Sequence, residues 1–292
     1  MKIHAPSSPA QPFAIGLKPL ADDNFLILDE NFPLYLAEKQ SLYADQFNNV
    51  FMAKDDTLTA QTHVFTMVLD CLKKHHYEHF DFNENQVHLK SSPQPLFRPE
   101  EWTNAPLAAA ALCIQDDLVL MRKSRDGWYL AAASLCFPSS WNLAEKFGRP
   151  MRDIHSPVPL EQKMVDRIDR IFDNLRPETP VWRANWSLAN DGELRHDRRE
   201  HHRTETLNQL SEEIWFRSEY QTLHKLPNMT DILFTIRIVT NTLADFRQEL
   251  DGAKKIARLA HQYERMSIEE KRYKGIDKGA KHLLKWMNEN GR

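Results

Sequence analysis

Glycine is scarce in this chain, with eight in 292 residues. Neither GxGxxG nor GxxxxGK[ST] occurs, which argues against a Rossmann or P-loop nucleotide site, since both need glycines for close backbone approach to phosphate. Cysteine is scarcer still. Cys71, Cys113 and Cys136 are too few and too scattered for a disulfide framework, a cysteine zinc site or an iron–sulfur cluster. An odd count of three fits a reducing compartment. Charge of one sign is also lacking: 38 Lys and Arg face 41 Asp and Glu, for a formal charge of −3. No basic stripe offers a footprint for nucleic acid. No apolar run reaches the length of a membrane span, and MKIHAPSSPAQPF has no apolar signal region. A cytoplasmic protein with no membrane or nucleic-acid partner is expected. The hydrolase string GxSxG is missing too; FPSSW, around Ser139 and Ser140, reads as a helix cap.

What is present is an ordinary globular composition, 41% hydrophobic and 27% charged. Residues 1–32 are rich in prolines and turn formers and are expected to wrap the surface. A core follows over 33–240. Pro33 opens a helical pattern in which Leu36, Tyr43, Phe47 and Val50 share one face, and a second helix is expected from Thr59 to His76. Residues 80–105 read as an extended connection. Leu107–Ile114, Leu118–Lys123 and Trp128–Phe137 are apolar runs separated by turn chemistry, which predicts a β-meander. Pro138-Ser-Ser then caps a short helix, Trp141–Phe147, that stops at Gly148. IHSPVP (Ile154–Pro159) reads as extended because each proline disfavours helix in the residue before it. A helix from Leu160 to Leu175 precedes three further strands, Val181–Leu188, Ile214–Leu223 and Asp231–Thr240. Residues 241–292 form a helical extension in two segments broken at Met266-Ser267. Strands in two groups with helices before, between and after imply an α+β fold around an antiparallel sheet.

Alternation along the strands groups Arg183, Asn185 and Ser187 on one side, Arg217, Glu219 and Gln221 on another, and Leu233, Thr235, Arg237 and Val239 on a third. Two readings stay open. A solvated sheet face is normally polar. A lined cavity instead mixes a few placed polar groups with apolar ones, as Leu233 and Val239 do here. Among thirteen histidines, HHYEH (His75, His76, His79) lacks the acid of HExxH, and His201 and His202 sit in a charged loop. His155 lies in a segment stiffened by two prolines. It can be a backbone-bonded histidine or an axial haem ligand, which must be held in place. With no CxxCH, covalent c-type haem is excluded.

Taken in order, AIGLKPL, QDDLVLM, LCFPSSW, EKFGRPMRDIHSPVP, VWRANW, the EYQTL–LP hairpin and LFTIR make the chain resemble the haem-dependent oxidative N-demethylase α-subunit-like family. The resemblance runs from Ile15 to Arg237; the tail after Thr240 carries no matched string. It implies a PAS-like antiparallel sheet flanked by helices and holding haem b in a catalytic role. The implied reaction is oxidative demethylation of a small secondary amine such as dimethylamine with O₂, through a carbinolamine that collapses to formaldehyde and the demethylated amine. Electrons would come from NADPH through a separate reductase carrying FMN and a 2Fe-2S centre. On the matched strings, His155 would be the haem iron ligand, and Arg183, Asn185, Arg217 and Gln221 would line the haem. Glu219 and Arg237 would serve the reaction, with Glu219 holding a substrate ammonium or pairing with a neighbouring arginine. Tyr220 stands where the family has an arginine, FTIRIV lacks the usual Thr-aromatic ending, and LAAASLCF lacks a glycine near Ala133. These departures bear on the substrate more than on haem. A PAS-like haem or ligand sensor, and a haem-less protein-binding subunit, are the competing readings, and self-association is left open.

Overall fold

The computed structural model of the chain describes residues 15–83, 86–154, 162–197, 214–274 and 280–291. Strand β1 (Lys18–Pro19) precedes helix α1 (Phe32–Val50), β2 (Phe51–Ala53) and helix α2 (Leu58–His75). A small sheet, β3 (Phe80–Asn83), β4 (Gln86–Leu89) and β5 (Pro95–Phe97), leads into α3 (Pro106–Leu112). The hairpin β6 (Asp117–Ser124) and β7 (Gly127–Ser134) is followed by α4 (Leu143–Lys146), α5 (Met151–Ile154) and α6 (Gln162–Asn174). Next come β8 (Val181–Ala189), β9 (Trp215–Lys225) and β10 (Asp231–Thr242). The described tail holds α7 (Leu243–Gln248), α8 (Gly252–Arg265), α9 (Ile268–Tyr273) and α10 (Ala280–Asn290). The fold is α+β. Its large sheet is antiparallel, with seven strands in the order β1-β8-β9-β10-β6-β7-β2. No helix among the described residues is long and apolar enough to cross a membrane.

Several elements differ from what the sequence suggests. Leu107–Ile114, expected as the first strand of a meander, is α3 and the turn after it. Pro106 sits in the first turn, where its missing N–H costs nothing, and four alanines follow, the strongest helix formers. An unbroken apolar run fits a buried helix as well as a buried strand, so length and pattern do not separate them. The extended pieces of 80–105 pair with one another as the small sheet. Helix α4 is capped by Asn142, whose Oδ1 accepts from Glu145 N at 3.0 Å, and not by Pro138-Ser-Ser. Ile154, expected at the start of an extended segment, ends α5. The break at Met266-Ser267 is present between α8 and α9, but the described tail divides into four short helices where two long ones were expected.

Residues directly opposite on antiparallel strands share a face. Arg183 pairs with Gln221, Asn185 with Glu219 and Ser187 with Arg217. The same face continues onto β10 through Ile236, Ile238 and Thr240. Arg237 pairs with Tyr220 and belongs to the other face, with Leu233, Thr235 and Val239. The expectation that Arg237 joins Arg183, Asn185 and Arg217 on one wall is therefore corrected. Alternation gives parity within a strand, whereas the phase between strands is set by register.

The Arg237 face is covered at both ends. Ala60, Val64, Val68 and Leu72, spaced by four along α2, bury fully against Leu118, Leu120 and Leu233. At the other end Trp186, Leu188 and Phe216 receive Leu243 and Phe246 of α7, Ile256 and Leu259 of α8 and Met287 of α10. The opposite face packs Val119, Met121, Leu223, Ile232, Ile236 and Ile238 against Met151 of α5 and Phe172 of α6.

Candidate functional site

The centre of β8 and β9 places four polar side chains in a quadrilateral: Arg183 and Asn185 on one strand, Gln221 and Glu219 opposite them. All four are at least half-buried. Gln221 Nε2 donates to Glu219 Oε2 at 2.7 Å, and Asn185 Nδ2 donates to the same oxygen at 3.3 Å. Every hydrogen bond to Glu219 within the described residues goes to Oε2. Oε1 accepts no hydrogen bond among the described residues. Arg183 lies next in the row and makes no ion pair with Glu219 closer than 4 Å. Its Nε is buried without a hydrogen-bond partner, as is the Oγ of Ser187 four residues on. Burial pushes the Arg183 guanidinium down from its ordinary value, and nearby Glu219 and Tyr273 oppose that. Buried donors lacking an acceptor are costly and rare in folded proteins, so they mark a place where an anion or another acceptor belongs. Across from this polar corner the face turns apolar at Ile236 and Ile238.

The other expected residues are placed differently. Arg217 belongs to the same face, but its guanidinium is used inside the protein. Nε donates to Ser139 Oγ at 3.0 Å, Nη1 to the Glu193 carbonyl at 3.1 Å, and Nη2 to the carbonyls of Phe137, Pro138 and Leu194 at 2.9–3.1 Å. It ties the FPSS loop to the segment after β8. Ser139, read from sequence as part of a helix cap, is one of its acceptors. Arg237, on the far face and 1% exposed, binds Asp29 Oδ2 through Nη2 at 2.6 Å and lies 4.4 Å from the Tyr35 ring centroid. His155 lies outside the described residues; its predecessor Ile154 has its carbonyl fixed by Lys146 Nζ at 2.7 Å. In HHYEH, His75 meets Asp22, His76 meets the Leu26 carbonyl and His79 meets Glu78.

Two groups went unread in the sequence. One is the buried cluster of Lys39, Asp116 and Asp117. Lys39 Nζ donates to the carbonyls of Ala111, Ile114 and Asp116, and Asp117 accepts from the backbone N–H of Cys136 and Phe137. The pattern signal, a lysine on the apolar stripe of α1 beside Tyr35 and Leu36, was available. The other is Lys274, after α9, which crosses the edge of β8. Its Nζ donates to Asn185 Oδ1 at 2.7 Å and to the Trp186 carbonyl. A lone lysine in KRYKG carries no sequence signal for that role.

Residues 16–284 match the family model described as haem-dependent oxidative N-demethylase, alpha subunit-like. The chain belongs to that family. Its name points to an oxidative, haem-dependent enzyme and, through the words alpha subunit, to partner subunits. The match takes in the polar corner of β8 and β9 as well as Lys274. Haem is an apolar plate with an acidic edge, and the protein tunes it through axial ligand, hydrogen bonding and burial. Of the residues present, the unpartnered Nε of Arg183 suits a propionate, while Ile236 and Ile238 of the same face are already packed in the core. A depression lined by Leu58, Thr59, Thr62, His63, Thr66 and Met229 lies along α2 and carries neither a carboxylate nor an arginine.

Proposed function

We propose that the chain is the haem-binding catalytic subunit of an oxidative N-demethylase, and that the β8–β9 corner binds its amine substrate beside haem b. The observation that supports this most is the state of Glu219. Two amides hold Oε2, so the carboxylate is oriented, and Oε1, which accepts no hydrogen bond among the described residues, can accept from an alkylammonium N–H. A dialkylammonium is small and cationic, which suits one oriented carboxylate.

The haem would supply the oxidising chemistry, with O₂ as co-substrate and electrons from NADPH through a reductase carrying FMN and a 2Fe-2S centre. His155 would hold the haem iron, and Arg183 would hold a propionate by charge-assisted hydrogen bonds. Asn185 and Gln221 keep the Glu219 carboxylate aimed. Glu219 positions the amine nitrogen, so that the N-methyl group is the part presented for oxidation. Hydroxylation of that methyl gives a carbinolamine, which collapses to formaldehyde and the demethylated amine. Arg217 contributes by fixing the loop at Phe137–Ser139 and so the end of this face.

Two measurements test the reading. His155→Ala should lose haem; stoichiometric loading with an unchanged Soret band would show that another residue is the ligand. Wild-type protein with haem and a reductase should release formaldehyde steadily from dimethylamine. A ligand-dependent spectral change without turnover would make the chain a sensor instead.

A further inference from the structure

The C-terminal segment reaches into this corner through one side chain. Lys274 is 5% exposed and sits against the edge of β8, with its Nζ 5.3 Å from the Trp186 ring centroid. An ammonium has donors only, so the Asn185 atom that it meets at 2.7 Å must be the amide oxygen. That fixes which way the amide faces. With Oδ1 held by Lys274, Nδ2 is turned toward Glu219 Oε2. If the amide were reversed, an oxygen would face the carboxylate and the support would become repulsion.

We propose that Lys274 is a positioning residue for the amine site, acting through the relay Lys274–Asn185–Glu219. The relay rests on the reading of Glu219 as the ammonium acceptor. The tail after α9 thereby completes a site whose other members all lie on the sheet. Among the described residues Asn185 carries the effect from Lys274 to Glu219 by hydrogen bonds, and Gln221 supports Oε2 on its own. Burial pushes the Lys274 ammonium down to about 8, with Glu219 the first of the charges that oppose this. It is therefore charged at neutral pH and supplies the donor that the relay needs.

The test is calorimetric titration of dimethylammonium chloride into haem-loaded wild-type protein and the variants Glu219→Gln, Lys274→Met, Asn185→Leu and the Lys274→Met/Asn185→Leu pair. One hydrogen bond to a charged group is lost in each single relay variant, so Kd should rise about tenfold in each. In the Asn185→Leu background, Lys274→Met should add no further weakening, because the relay is already cut. A merely structural lysine would lower the melting temperature without this coupling in Kd. Should Lys274→Met fail to fold, Asn185→Leu, which leaves Lys274 bonded to the Trp186 carbonyl, carries the test alone. If the relay variants bind as wild type while Glu219→Gln loses binding, the relay is wrong and the amine site stands. If wild type fails to bind, or Glu219→Gln binds equally well, the reading of Glu219 itself falls.

Discussion

The two faces of the large sheet both carry arginine and acidic side chains, yet treat them differently. On the Arg237 face the arginine is paired with a carboxylate, although its Nε and Nη1 make no hydrogen bond. Asp29 receives Arg237 at 2.6 Å and exchanges two hydrogen bonds of 3.0 Å with Gln115, while helices cover both ends of the sheet. Burial works against ionising Asp29, but Arg237, Gln115 and the Asn31 N–H together hold its carboxyl below the usual range. On the β8–β9 face Arg183 makes no such pair among the described residues: its Nε has no acceptor, and Glu219 is held by one oxygen. The lesson is that chemical composition does not separate a structural polar cluster from a binding one. What separates them here is the ion pair: Arg237 meets Asp29, whereas Arg183 makes none with Glu219 within 4 Å.

The comparison can be broken from the Arg237 side first. Arg237→Leu leaves Asp29 buried without its cation, and such one-sided removals cost roughly 3–5 kcal/mol. Urea unfolding should show that loss, whereas dimethylammonium affinity, measured where the variant remains folded, should stay near wild type. Loss of affinity at full stability would move Arg237 to the binding side.

Asp116 sharpens the same contrast through pH. Burial pushes its carboxyl up to about 6 against the pull of Arg237 and Lys39, and its Oδ2 has no hydrogen-bond partner. Because the folded value lies above the unfolded one, the folded chain holds the extra proton between about pH 4 and 6. The group's contribution to stability is therefore full below that window and falls through it, by something of order 3 kcal/mol. Asp116→Asn cannot titrate, so its stability relative to wild type should climb between pH 4 and 6.5. A constant difference across that range would contradict the assignment.

The smallest stability effect belongs to the Arg183 side. Arg183→Met strands no acceptor among the described residues, so unfolding free energy without haem should change by less than about 1 kcal/mol. Haem affinity, followed by absorbance titration, should drop about tenfold as one charge-assisted bond to a propionate disappears. A large loss of stability with unchanged haem affinity would make Arg183 structural.

Much of this architecture was readable in the sequence because turn chemistry and alternation are local. Strands β6 to β10 were placed within a few residues, and so were α2 and the break at Met266. The family strings made haem chemistry legible ahead of the fold. What failed was non-local or degenerate. The PLAAAAL run has no period, so alanine composition, not pattern, makes it a helix. Arg237 was grouped with the wrong face because the phase between β9 and β10 is set across a hairpin, where a one-residue shift inverts every side chain. Arg217 looked like a ligand arginine because its acceptors are carbonyls of a loop some 80 residues earlier and of the segment after β8. Lys274 was invisible, since the backbone that carries it to β8 leaves no local mark.

The central claim is that Oε1 of Glu219 receives an alkylammonium. Calorimetry of dimethylammonium binding to haem-loaded Glu219→Gln, beside wild type at neutral pH, tests it most directly. The amide substitution keeps size and most hydrogen bonding but removes the charge, so affinity should fall by at least tenfold while the melting temperature stays within a few degrees. Equal affinity in the two proteins would contradict the account.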